Sequence, residues 1–213
     1  MINISIIGTD STHTEEYVSL INSYPNLNVI SIFGDNKKQT HEKADKLNIS
    51  NISSTIDDSL KNTDLVMVLG RYGESHFAPA LKTIKHKIPL FVDKPFTVDS
   101  IEAKKLIDES ISNKLKMMSS SPLRFCDEII DLKKILINQN SNLLTINITV
   151  PADCNDLGND PRLDSVFFYG IHGIEMLFEL IGDEIIEHEI YFSNSKIDLI
   201  LKTPDKKTHS LSL

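Results

Sequence analysis

INISIIG (residues 2–8) is a β-branched run that ends on glycine, and the polar stretch STHTEEYVSLINSY follows it directly. β-branched residues suit a pleated, buried strand, and glycine permits a sharp exit from it. In the stretch that follows, Tyr17, Val18, Leu20 and Ile21 are expected to form the apolar face of a helix. The result is strand, turn, helix, and the pattern repeats. NVISIFG (28–34) reads as a second buried strand, and DNKKQTHEKADKLNI as a solvated helix with Ala44 and Leu47 inward. DDSLKN suggests a short helix, TDLVMVLG (63–70) a third strand, HFAPALKTIKHK a helix, and PLFVDKPF (89–96) a fourth strand and its exit. SIEAKKLIDESISN reads as an amphipathic helix and KLKMMSSS as a fifth strand.

Apolar strands alternating with helices imply βαβ units, whose crossovers force a parallel sheet covered on both faces. The class is therefore α/β, with a Rossmann-type domain expected over residues 1–121. Ligands of such sheets bind beyond the carboxyl ends of the strands. The candidate loops are Gly8 to His13, Gly34 to Asn36, Gly70 to His76 and Asp93 to Phe96.

After Pro122 the pattern changes, and residues 122–213 are expected to form a small α+β domain. Its elements are a helix at 125–138, a strand LLTINITV (143–150), and the turn-rich PADCNDLGNDPRLDS. FYGIHGIEMLFELIG then reads as an apolar helix closed by Gly182, and EHEIYFS and KIDLILKT as strands joined near Asn194. HSLSL is one more candidate strand, and the sheet is expected to be antiparallel.

Composition excludes several classes. The chain has 213 residues, 40% apolar and 24% charged, with a net charge of −8. That balance argues against binding along a nucleic-acid backbone, which takes clustered Lys and Arg. No window approaches a membrane span, and MINISIIG lacks the basic start of a signal peptide, so a cytoplasmic location is expected. Cys126 and Cys154 have no metal-ligand spacing and read as ordinary residues. A metal site from Asp10, His13, His76 and His172 is conceivable, but no local spacing demands it, and no metal is expected.

Four segments could carry chemistry. The turn Gly8-Thr9-Asp10-Ser11-Thr12-His13 sits where a helix N-terminus receives a cofactor pyrophosphate, yet it keeps only the first glycine of G-x-G-x-x-G. Asp10 stands at the second glycine, where a carboxylate repels phosphate; the alternative is that Asp10 or Ser11 simply caps the helix. Asp35 follows the second strand, where an acid accepts hydrogen bonds from an adenosine ribose and favours NAD over NADP. Lys37 and Lys38 could instead meet a 2′-phosphate, and Asp35 could be a helix cap. Lys94 leaves a buried strand within Asp93-Lys94-Pro95-Phe96, pointing either into the crevice, where desolvation suits it to proton transfer, or to solvent. His172 begins an apolar helix with Glu175 one turn on, an arrangement open to a core or a catalytic reading.

Taken in order, the glycine turn, DLVMVLGRYGESHFAPAL, PLFVDKPFT, SSSPLRF and FYGIHGIEMLFELIG resemble the Gfo/Idh/MocA family of NAD(P)-dependent oxidoreductases over about residues 1–185. VDKPFT is similar to the family's E-K-P motif, and GIHGIE to its G-x-H-x-x-D helix, with Glu175 for the acid. The resemblance implies cofactor contacts at Gly8, Thr9, Asp10, Ser11, Thr12, His13, Asp35, Gly70, Arg71, His76, Asp93 and Lys94. It implies substrate contacts at Lys94, Arg124, Tyr169 and His172, with Lys94 and His172 managing the O–H proton of a sugar-like, cyclitol or hydroxy-acid substrate at one shared site. Where many members carry an aspartate this chain has Phe168, and Tyr169 is the expected substitute hydroxyl. The chain is shorter than the family's usual length, and assembly into homo-oligomers through the C-terminal sheet is expected. The alternative functions are a descendant of the fold that no longer uses dinucleotide, for non-redox chemistry or ligand binding, and a regulatory subunit.

Overall fold

The computed structural model describes residues 1–138, 145–151, 166–193 and 196–213. Cys154, most of the turn-rich stretch before the last helix and the hairpin tip at Asn194 lie outside them. The chain divides into two compact units, Met1–Ser119 and Ser120–Leu213.

The first unit carries five strands: β1 (Ile2–Ile7), β2 (Leu27–Phe33), β3 (Leu65–Val68), β4 (Leu90–Val92) and β5 (Met117–Ser119). They form one parallel sheet in the order β2-β1-β3-β4-β5. Its helices are α1 (His13–Asn22), α2 (Lys37–Leu47), α3 (Ile56–Ser59), α4 (Phe77–Lys85) and α5 (Ser100–Ser112). Side chains alternate across a strand, so the sheet supplies two cores. Ile4, Ile6 and Met67 meet Val18 and Ile21 of α1 and Ala44 of α2 on one face. Ile7, Val66, Val68 and Leu90 meet Ala80 and Ile84 of α4 and Leu106 of α5 on the other. The strand order reverses between β1 and β3, which opens a crevice at their carboxyl ends.

One expected core residue lies outside. Leu20 is 55% exposed, whereas Val18 and Ile21 are buried. Two residues along a helix is about 200° of rotation, so Leu20 faces away from Val18.

The second unit contains a 3₁₀ turn (Pro122–Phe125), α6 (Asp127–Asn138), β6 (Asn147–Thr149), α7 (Val166–Ile181), β7 (Glu187–Ser193), β8 (Lys196–Lys202) and β9 (Thr208–Ser212). The sheet order is β6-β9-β8-β7. It is mixed rather than antiparallel: β8 runs against both neighbours, but β6 pairs with β9 in parallel. β6 is also shorter than expected. Val150, Leu177, Leu201 and Leu211 form the core between α7 and the sheet. Gly173 permits this approach, since a β-carbon there would lie 2.4 Å from Leu211 Cδ1 and 2.8 Å from Val150 Cγ2.

Candidate active site

In the first unit a cleft of about 470 Å³ opens at the carboxyl ends of β1, β2 and β3. Gly8, Thr9, Asp10, Gly34, Asp35 and Gly70 line it. Gly8 takes φ +110°, and a β-carbon there would lie 2.3 Å from Gly70 N. The turn therefore packs backbone to backbone against the loop after β3, and only glycine allows it.

Asp10 does not cap α1. Its Oδ1 accepts from Arg71 N at 3.1 Å, so the carboxylate that replaces a glycine ties the turn to the β3 loop. Ser11 Oγ accepts from His13 N at 3.2 Å, and Thr12 is the N-cap position with no capping side-chain bond. The buried Thr9 hydroxyl pairs with Thr40 at 3.1 Å. Nor does Asp35 cap α2. Asn36 does so, accepting from Gln39 N at 3.1 Å, and Asp35 stays exposed at the cleft.

The loop after β4 holds the lysine. Asp93 is 2% exposed; its Oδ1 accepts from Lys94 N at 2.8 Å and its Oδ2 from His13 Nδ1 at 2.5 Å. His13 therefore joins the glycine turn to the Asp-Lys-Pro loop. Lys94 is 5% exposed. Burial lowers its pKa from the ordinary lysine value, Asp93 opposes this, and Arg71 adds to it. Burial also pushes up the Tyr17 phenol, helped by Asp93 and Glu16. The Lys94–Pro95 peptide is cis.

His76, expected at the cofactor, is fully buried. Its Nε2 lies 2.7 Å from Gly70 O and its Nδ1 2.9 Å from Pro95 O. Both ring nitrogens lie against main-chain carbonyls, so His76 braces two loops.

In the second unit, His172, Glu175 and Glu179 recur at helical spacing and form one polar stripe on the otherwise apolar α7. His172 Nδ1 lies 2.5 Å from Ser121 Oγ, and Glu175 Oε2 accepts from Ser120 Oγ at 2.8 Å. Glu179 Oε2 accepts from Arg124 Nε at 2.6 Å, and Lys133 donates to its other oxygen. Those bonds hold the Glu179 carboxyl below the usual range, Lys133 contributing most. Arg124, expected to be open to substrate, thus already has a carboxylate partner. Tyr169 stands edge-on to Phe168 with ring centroids 5.0 Å apart. Ser120 and Ser121 were missed from sequence because their partners lie 55 and 51 residues away.

Among the described residues no three His, Cys, Asp or Glu side chains form a metal cluster, and no helix is long and apolar enough to cross a membrane. Three strand-end glycines, Gly8, Gly34 and Gly70, line the cleft, and the exposed carboxylate of Asp35 stands beside them, a lining that fits a dinucleotide.

No curated protein sequence matches the chain. Among solved structures, myo-inositol dehydrogenase from Lactobacillus casei, in complex with NAD(H) and myo-inositol, superposes with TM-score 0.85 at 17% identity, covering 100% of this chain and 67% of that one. An oxidoreductase from Agrobacterium radiobacter, in complex with NAD+, L-tartaric acid and magnesium, gives 0.86 at 15% identity, covering 100% and 66%. An NAD-binding protein from Listeria innocua gives 0.80 at 15% identity, covering 99% and 66%. The chain thus spans about two thirds of the length of these structures, and at such identities the likeness is one of fold. The sequence profile described as "Oxidoreductase family, NAD-binding Rossmann fold" matches residues 2–120, more than half of the 213. The chain belongs to the Gfo/Idh/MocA oxidoreductase family.

Proposed function

We propose that the protein is an NAD-dependent oxidoreductase acting on a secondary alcohol of a sugar-like, cyclitol or hydroxy-acid substrate. The observation that carries this reading is Lys94, a lysine buried at a strand end with its ammonium disfavoured by burial. An amine so placed takes and returns a hydroxyl proton more readily than a solvated lysine. Asp93 fixes the backbone beside it, and His13 fixes Asp93.

Gly8, Thr9, Asp10, Asp35 and Gly70, which line the cleft, would hold the dinucleotide there; by family resemblance Ser11, Thr12 and His13 would complete the turn around it. Acids line this cleft at Asp10, Asp35 and Glu74, with no Lys or Arg among the described lining residues, which favours NAD over a cofactor carrying a 2′-phosphate. When bound, nicotinamide supplies the hydride acceptor or donor. By family resemblance His172 is the second group at the reacting oxygen, with Arg124 and Tyr169 contacting substrate. Arg124's bond to Glu179 through Nε orients the rest of its guanidinium.

The same acids favour a second reading, in which a descendant of the fold has given up dinucleotide. Titration with NADH and NADPH, followed by cofactor fluorescence, separates the two. We expect saturable NADH binding stronger than that of NADPH; no saturable signal at millimolar cofactor overturns the proposal. Lys94→Ala is expected to keep cofactor binding and lose turnover, and a wild-type rate in that variant would refute the role of the lysine.

A further inference from the structure

The polar stripe on α7 is held by two consecutive serines. Ser120 Oγ donates to Glu175 Oε2 at 2.8 Å, and Ser121 Oγ lies 2.5 Å from His172 Nδ1. Ser121 is completely buried, at φ −74° and ψ +133°, the extended conformation that a following proline favours. Its oxygen already accepts the Leu123 N–H at 3.2 Å as the cap of the 3₁₀ turn. A hydroxyl has one proton to give. Among the described residues, the only acceptor that this proton can reach is the imidazole Nδ1. Were Nδ1 the donor instead, the serine proton would be left buried without a partner, the arrangement that folded proteins avoid.

We propose that Ser121 is the positioning residue of His172: its hydroxyl donates to Nδ1 and so places the imidazole's own proton on Nε2. The nitrogen partnered by a neighbour decides which tautomer a histidine adopts. A neutral ring fixed this way offers an N–H at Nε2 and no lone pair there. Read together with the proposed function, on which this consequence rests, His172 donates a hydrogen bond to the substrate oxygen, and the O–H proton goes to another base. In the reverse direction the conjugate acid of that base returns the proton, while the same N–H again donates a hydrogen bond to the oxygen. Serine at 121 therefore assigns the histidine one of its two possible roles.

The test is a long-range ¹H–¹⁵N correlation spectrum of the ¹⁵N-labelled full chain, without cofactor or substrate, at a pH where the ring is neutral. His172 is assigned by the signals lost in His172→Gln. The expected spectrum has Nδ1 at the shift of a bare ring nitrogen and Nε2 at that of a protonated one. Ser121→Ala is expected to move both shifts toward the average of a tautomer mixture, and Ser121→Thr to restore them. A wild-type His172 protonated on Nδ1 overturns the proposal, as does an unchanged spectrum in Ser121→Ala. Should the alanine variant not fold, the wild-type spectrum alone still decides. Because no turnover is measured, failure here is distinct from failure of the dehydrogenase reading, which the cofactor titration tests.

Discussion

Alanine at position 8 would carry a β-carbon to 2.3 Å from Gly70 N, 2.7 Å from Leu69 C and 2.8 Å from Gly70 Cα. All three are main-chain atoms, and their surroundings cannot yield cheaply. Gly8 N donates to Phe33 O at 2.8 Å and Leu69 N to Ile7 O at 2.7 Å, so moving either segment breaks the sheet's own bonds. The φ of +110° adds backbone strain for any side-chain-bearing residue. Strain of this kind costs about 1–3 kcal/mol, and forced backbone shifts cost about as much again. A total of about 4 kcal/mol is a large share of a typical stability of roughly 5–15 kcal/mol. For a chain of this size it corresponds to a melting temperature lower by about 8–16 °C. Gly70→Ala is the internal control. Its β-carbon would meet Ser75 Oγ at 2.3 Å, and that side chain can rotate away at the loss of its bond to Tyr72 O. That loss is about 1 kcal/mol, or roughly 2–4 °C. Thermal unfolding followed by circular dichroism measures both variants in the same unit. If Gly8→Ala melts within two or so degrees of Gly70→Ala, the backbone contact across the cleft floor is not the constraint we take it to be.

Lys94 sets a pH dependence of stability. Its folded pKa lies below the ordinary lysine value, so between the two the unfolded chain binds more protons and stability rises with pH. Lys94→Met is expected to be more stable than wild type at neutral pH, with the gap closing as pH climbs toward the ordinary lysine value; urea titrations across that range would refute this if the gap stayed constant. Leu177→Ala empties the centre of the second unit, where Leu177 is fully buried among Val150, Leu201 and Leu211, and is expected to cost about 2–5 kcal/mol by urea unfolding. A cost under about 1 kcal/mol would mean that α7 is not clamped on the sheet.

Most of the first unit was legible because its strands are runs of Ile, Val and Leu and its ligand loops fall at their ends. Leu20 is apolar like its neighbours in α1 but falls on the opposite side of the helix from Val18, which apolar character alone does not reveal. The second unit was read less well. Parallel pairing of Asn147 with Ser210 joins residues far apart in sequence, and no local pattern announces it. The site divides in the same way. Gly8, Asp35 and Lys94 could be placed in the candidate loops because each follows a strand. The partner of Asp10 is 61 residues away and that of His172 is 51 residues away, so neither the Arg71 bond nor the Ser121 bond could be read locally. The spacing of His172, Glu175 and Glu179 was the signal available for the polar face of α7.

The imidazole of His76, wedged between the carbonyls of Gly70 and Pro95, has a mechanical consequence. It ties the Gly70 loop at the rim of the cleft to Pro95, the residue that follows Lys94, so displacing either carbonyl alone costs its contact with the ring. A ligand that displaced Gly70 would load the Pro95 carbonyl through the ring, next to Lys94.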